Sequence, residues 1–167
     1  KECEMSQECV LVSCIRYANS EVYEPEIILI QKDRPSWQKG KLNLPGGKIE
    51  QGECPKEAAV REIREETGLE IHLLEKAGEI IGSSGVTIHC FSALVNYYAD
   101  FNPREGETEI PIWMNIEQAL LDNRLIPNLR VAIPLIKSRV RYWTIKDDSS
   151  SEGKSSHTFS ITVPTYL

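Results

Sequence analysis

Three glutamates stand close together in one short stretch, Glu62, Glu65 and Glu66, within Arg61-Glu62-Ile63-Arg64-Glu65-Glu66-Thr67. Pro55 suits a first helical position and Gly68 a C-terminal cap, so a helix is expected over residues 55–67. Taking about 100° per residue from Ala59, Ile63 falls near 40° and Thr67 near 80°, while Glu66, Glu62 and Glu65 fall at roughly 340°, 300° and 240°. One face is apolar and the adjacent face carries three carboxylates. Like charges at i, i+3 and i+4 repel, and a plain solvated helix prefers opposite charges at those spacings. Converging carboxylates make a hard oxygen site for Mg²⁺, with Mn²⁺ as substitute. Such a site neutralises phosphate charge and activates water. Arg61, on the flank, could pair with Glu53 or Glu65 and hold a carboxylate in place. An acidic solvated face is the plain alternative for the three glutamates taken alone.

The wider spacing narrows that choice. Gly47 is followed after five residues by Glu53, after seven more by Arg61-Glu62-Ile63, then by Glu65-Glu66 and Gly68-Leu69. Seven fixed identities at background frequencies arise by chance on the order of once in 10⁸ start positions. The segment Gly47–Leu69 resembles the Nudix box, G-x5-E-x7-R-E-U-x-E-E-x-G-U, at every defined position. The flanking strand pattern extends the resemblance over roughly residues 8–140. It implies an α/β/α sandwich with a mixed β-sheet and the box as loop–helix–loop. It also implies hydrolysis of a nucleoside diphosphate linked to another moiety, with a divalent metal. Carried over residue by residue, Glu62, Glu65 and Glu66 are the expected metal ligands, joined by the Gly46 carbonyl. Glu53 and Arg61 orient them, and Gly47 and Gly68 permit tight turns. The intact box argues for catalysis over a degenerate nucleotide-sensing module.

Outside the box, Leu44-Pro45-Gly46-Gly47-Lys48-Ile49-Glu50 is similar to the MutT-like nucleoside triphosphate pyrophosphatases, which cleave oxidised purine nucleotides to monophosphate and pyrophosphate. The resemblance puts Lys32 where that group has an arginine contacting substrate. It puts Asn128, in Pro127-Asn128, where an asparagine reads the purine. It puts Glu107 where a downstream glutamate assists the metal site, with Glu105 and Glu109 near enough to take the same role. Lys32, Arg34 and Lys48 are candidates to stabilise phosphate charge. Each has a plain alternative. Asn128 could instead cap a helix, Lys32 and Arg34 could be solvated strand ends, and Trp37 could stack on a base or pack over the core. Departures from the group (Lys32, Asn43, Leu44) bear on substrate rather than reaction. ADP-ribose and dinucleoside polyphosphate pyrophosphatases remain the alternative, although Ser84-Gly85 and Val86 stand where those groups often carry proline and tyrosine.

The elements that must position these residues follow from pattern and punctuation. Strands are expected at 8–17, 26–31, 41–44, 69–82, 86–98 and 110–114. Asn115 should cap a helix at 116–122, and a last helix should run over 128–141. His72 and His89 fall in strand patterns and read as structural. Residues 1–145 are expected to form the catalytic domain. Residues 146–167 read as a Ser-rich tail whose segment 158–163 could add an edge strand, to its own sheet or to that of a second chain in a homodimer.

Composition bounds the partners. The 167 residues hold 19 basic and 25 acidic side chains, a net charge of −6, and no basic run, which argues against stable binding of nucleic-acid duplexes. No apolar stretch approaches the ~20 residues of a membrane helix, and Val10-Leu11-Val12 is too short for a secretory leader. Five scattered cysteines without a CxxC pair suggest reduced thiols in a cytoplasmic setting.

Overall fold

Strands β1 (Glu8–Tyr17) and β2 (Pro25–Gln31) are apolar at consecutive positions because both of their faces are covered. In the computed structural model, which describes residues 7–17, 24–147 and 157–165, they lie near the centre of a mixed eight-stranded sheet. The other strands are β3 (Leu42–Asn43), β4 (Glu75–Ile81), β5 (Thr87–Leu94), β6 (Ile110–Asn115), β7 (Trp143–Asp147) and β8 (Phe159–Thr162). Their order is β3-β2-β1-β5-β4-β7-β8, with β6 on the other edge of β2. The β1–β5 and β4–β7 pairs are parallel and the rest antiparallel.

Alternation along the strands sorts the core into two layers. Val10, Val12, Cys14, Ile28 and Ile30 meet Ala58, Ala59 and Ile63 of helix α1 (Pro55–Thr67). Leu11, Ile15, Ile27 and Leu29 meet helices α2 (Ile116–Leu121) and α3 (Leu129–Lys137) through Ile116, Leu129, Ile133 and Ile136. The result is the expected α/β/α sandwich. Helix α1 begins at Pro55, whose missing N–H costs nothing there. It ends at Gly68 with φ of 75°, where any Cβ would lie 2.0 Å from the Asn102 carbonyl oxygen. Asn115 caps α2 by accepting from the N–H groups of Glu117 (2.8 Å) and Gln118 (3.2 Å).

Four expectations shift, the first that the strand expected over 86–98 ends at Leu94 as β5. Residues 69–74 are loop rather than strand, so His72 is an exposed loop residue, while His89 is buried on β5 beside Glu8 and Glu79. The last helix stops at Lys137, because the chain turns through Arg139 and Tyr142, both with positive φ. The unforeseen strand β7 follows and runs across the boundary placed at 145/146. Its Trp143 is fully buried against Gly78, where a Cβ would lie 2.2 Å from the indole. Segment 159–162 pairs with β7, from Thr144↔Thr162 to Asp147↔Phe159. Most of the Ser-rich stretch, 148–156, lies outside the described residues. No helix among the described residues is long and apolar enough to cross a membrane.

Candidate active site

The loop from β3 to α1 crosses the end of β1 and fixes the site's floor. The Val12 N–H donates to the Pro45 carbonyl (2.9 Å) and the Val10 N–H to the Gly47 carbonyl (2.8 Å). The Gly46 carbonyl, between them, takes part in neither bond. Gly46 has φ of 151°, and a Cβ there would lie 2.0 Å from the Val10 carbonyl oxygen. This approach turns the Gly46 N–H onto Glu66 Oε2 at 2.8 Å. The neighbouring Gly47 has no positive φ. It is small for a different reason than expected, since a Cβ would fall 2.4 Å from Glu62 Oε1.

The carboxylates of α1 divide between two sets of partners. Arg61 reaches Glu53 with two nitrogens (2.7 and 3.0 Å), Glu62 at 2.8 Å, Glu65 at 3.5 Å and the Lys48 carbonyl at 3.0 Å. It thereby ties the loop, the box glutamates and the helix together, and it holds the Glu53 carboxyl below the ordinary carboxylate range. Arg104, unforeseen from sequence, grips the other oxygen of Glu65 at 2.9 Å, while its own N–H caps the Glu65 carbonyl at 2.8 Å. Glu62 is pushed up by burial, with Arg61 opposing.

Glu66 is buried in the protein, with Glu62 near enough to repel it. Burial pushes its carboxyl up to about 8, with Lys32 and the Gly46 N–H opposing. The Lys32 ammonium lies 3.7 Å from Glu66 Oε1 and in closer contact with Glu109 Oε2. Glu109 is as buried as Glu66 and accepts from the N–H groups of Asp33 (3.3 Å) and Arg34 (3.4 Å). The structure therefore sets Glu109 beside the box helix. Glu107 instead turns its carboxylate onto the N–H groups of Thr108 (2.9 Å) and Glu109 (3.0 Å). Sequence spacing could not choose between them, because the choice depends on β6 register. Gln31 pairs with Ile110, which sets Glu109 next to Lys32.

Above this floor opens a cleft of about 730 Å³. Lys32, Arg34, Trp37, Lys48 and Asn128 all line it, together with Gly46 and Gly47. Trp37 is 63% exposed on a short 3₁₀ turn (Ser36–Gln38), so it does not pack over the core. Asn128 occupies the N-cap position of α3, yet its side chain makes no cap bond, and its buried Oδ1 has no hydrogen-bond partner. Asn43, the Ser83-Ser84 turn and Asp147 also line it and were not singled out as site residues from sequence. A second hollow, about 880 Å³, follows the outer face of α1 between Lys56, Arg64 and Pro103 and meets the site through Arg61, Glu65 and Arg104.

The donor set suits a hard divalent ion: carboxylate oxygens of Glu62, Glu65 and Glu66 and a backbone carbonyl at Gly46. As they stand, no three acidic, histidine or cysteine side chains among the described residues are gathered into a ready cage. Arg61, Arg104 and Lys32 engage them instead. Burial of Glu66 with only one ammonium shared between two carboxylates favours entry of more positive charge.

The model of the NUDIX domain matches residues 10–136. The chain belongs to the Nudix family. Among Nudix relatives, the oxidized purine nucleoside triphosphate hydrolase of Mus musculus is 32% identical over 102 residues, 58% of this chain and 64% of that protein. The ADP-sugar pyrophosphatase of the same species is 33% identical over 88 residues, 51% of this chain and 40% of that one. The matched stretches thus span less than two thirds of these relatives' own length. The Nudix sandwich itself is shared with the MutT protein of Bacillus halodurans. That structure superposes with a TM-score of 0.65 over 92% of this chain and 97% of its own, at 19% identity.

Proposed function

We propose that the protein is a divalent-metal-dependent pyrophosphohydrolase that cleaves a purine nucleoside triphosphate, an oxidised one by preference, to the monophosphate and pyrophosphate. The observation that carries this reading is the unpartnered Asn128 Oδ1 on the same cleft whose floor is formed by Gly46 and Gly47. A purine ring that offers an N–H satisfies that oxygen, and its phosphates then extend toward Lys32 and Lys48. The resemblance to oxidised-purine hydrolases points the same way.

Glu62, Glu65, Glu66 and the Gly46 carbonyl are the groups to hold Mg²⁺ or Mn²⁺, which would neutralise phosphate charge and acidify a water. The protein's own residues do the positioning. Arg61 fixes Glu53 and Glu62, Arg104 fixes Glu65, and the Gly46 N–H fixes Glu66. Glu109 takes the helper role expected of Glu107. Water adds to phosphorus as the bridging P–O bond breaks. Its proton passes to one of these carboxylates, and the negative charge that develops faces the ammonium groups of Lys32 and Lys48.

The test is product analysis by ion-pair chromatography with Mg²⁺ and a panel of canonical and 8-oxo purine triphosphates, ADP-ribose, diadenosine polyphosphates, NADH and capped RNA. Preferred cleavage of an 8-oxo purine triphosphate with release of pyrophosphate supports the reading. Preferred cleavage of ADP-ribose, the second reading that the ADP-sugar pyrophosphatase likeness supports, would keep the metal site and remove the base-reading role of Asn128. Tight binding without turnover would make the chain a sensor.

A further inference from the structure

Two carboxylates and one ammonium are buried together at the foot of the cleft. The side chains of Lys32, Glu66 and Glu109 are 12%, 7% and 4% exposed. A buried carboxylate without a cation is strongly disfavoured, and one ammonium offsets only one of the two, with Glu109 its closer partner and Glu66 at 3.7 Å. The groups around the trio differ in how firmly they are held. Glu66 keeps the Gly46 N–H, and Glu109 keeps those of Asp33 and Arg34, whatever Lys32 does. The Lys32 backbone is pinned, its N–H to the Lys41 carbonyl (2.9 Å) and its carbonyl accepting from Gly40 (2.8 Å). Only its flexible four-carbon stem is free to turn, and Lys32 also lines the open cleft.

We propose that Lys32 is an internal countercation held against Glu109 and Glu66 while the divalent ion is absent. Entry of the ion expels its ammonium into the cleft, where it becomes a ligand for the substrate's phosphates. This rests on the proposed metal role of Glu66 and goes beyond it. A 2+ ion held at Glu66 would supply the positive charge that a single ammonium gives only in part, and it would repel a neighbouring ammonium. The carboxylates stay in place on their backbone donors, so the exchange costs one side-chain rotation. Lys32 then offers its charge to phosphate only when the metal is loaded, which makes productive nucleotide binding conditional on metal.

Amine accessibility reads this directly, without turnover. The full chain, metal-free or with saturating Mg²⁺ and no nucleotide, is pulsed with an amine-acylating reagent, and each lysine is quantified by peptide mass spectrometry. Lys39, exposed and paired with Asp33 rather than with Glu66 or Glu109, serves as the internal standard. Lys32 should be protected in the metal-free protein and should label at least about tenfold faster with Mg²⁺. Glu109→Gln should raise Lys32 labelling without metal, because the ammonium loses its closest partner. Mg²⁺-induced thermal stabilisation, lost in Glu66→Gln, is measured in parallel. If Mg²⁺ stabilises the wild type but Lys32 stays protected, or if Lys32 labels freely without metal, the countercation role is overturned and the proposed function stands. If Mg²⁺ gives no stabilisation, both are overturned.

Discussion

At the scale of single residues, the site is organised by who neutralises whom. Glu66 is the most costly group in it, because burial outweighs the help of Lys32 and Gly46 and its carboxyl rises to about 8 from an ordinary 4.5. The folded, metal-free protein therefore binds the Glu66 proton more tightly than the unfolded chain does. That difference adds stability below about pH 4.5 and forfeits it progressively as pH rises to about 8. Thermal melts in chelator should show Tm declining over this window, and Glu66→Gln should flatten the decline. A wild-type Tm that rises between pH 5 and 8 by the same amount as in the variant would contradict the assignment. With Mg²⁺ present the same variant should keep its fold while turnover falls by about two orders of magnitude or more. Near wild-type kcat would remove Glu66 from the ligand set. The box residues were legible in sequence because identity and spacing carry their roles: Arg61 meets Glu53 as expected from the flank of the helix. Arg104 was not legible, and Glu109 only as one of three candidates with Glu105 and Glu107. Their places depend on how the loop at 99–109 docks on α1, and no local pattern reports docking.

At the scale of elements, two asparagines at helix starts do different work. Asn115 bonds two N–H groups of α2, whereas the Asn128 side chain bonds none in α3. Replacing Asn115 with alanine should cost about 1 kcal/mol of stability. Replacing Asn128 with alanine should cost little stability and should raise KM for purine triphosphates severalfold. Urea melts and steady-state kinetics on the two variants separate the effects. A stability loss in Asn128→Ala equal to that in Asn115→Ala, with KM unchanged, would return Asn128 to a capping role. Strand β1 and helix α1 matched their expected limits, 8–17 and 55–67, because apolar continuity and the Pro55/Gly68 pair mark both ends. The last helix and β7 did not. Nothing in the run 138–142 has the composition of a helix stop, and the chain turns there on two non-glycine residues with positive φ.

At the scale of the whole molecule, the boundary drawn at 145/146 cuts a strand. Trp143 and Ile145 are fully buried, and β7 extends the sheet from β4 while its last residue, Asp147, lines the cleft. Ending the chain after Tyr142 removes an indole whose loss alone is worth about 3–5 kcal/mol. That truncation should leave little folded protein at 37 °C. Ending it after Asp147 removes β8, whose residues are mostly exposed, and should leave a folded domain with a lowered Tm. Circular dichroism of the two truncations decides the matter. Equal stability in both would mean that β7 adds nothing to the core.

The parallel pairing of β1 with β5 has a consequence for how the molecule comes into being. Glu8 meets Thr87, so the central ladder joins segments roughly 80 residues apart in the chain, a closure that is slow compared with forming α1 or the β4–β5 hairpin. The cleft takes its floor from the loop laid across β1, one wall from the β4–β5 turn and another from the start of α3. A chain that has not closed this ladder therefore lacks the cleft. Regain of binding after dilution from denaturant should lag behind regain of helix, so that function reports the last event in folding rather than the first.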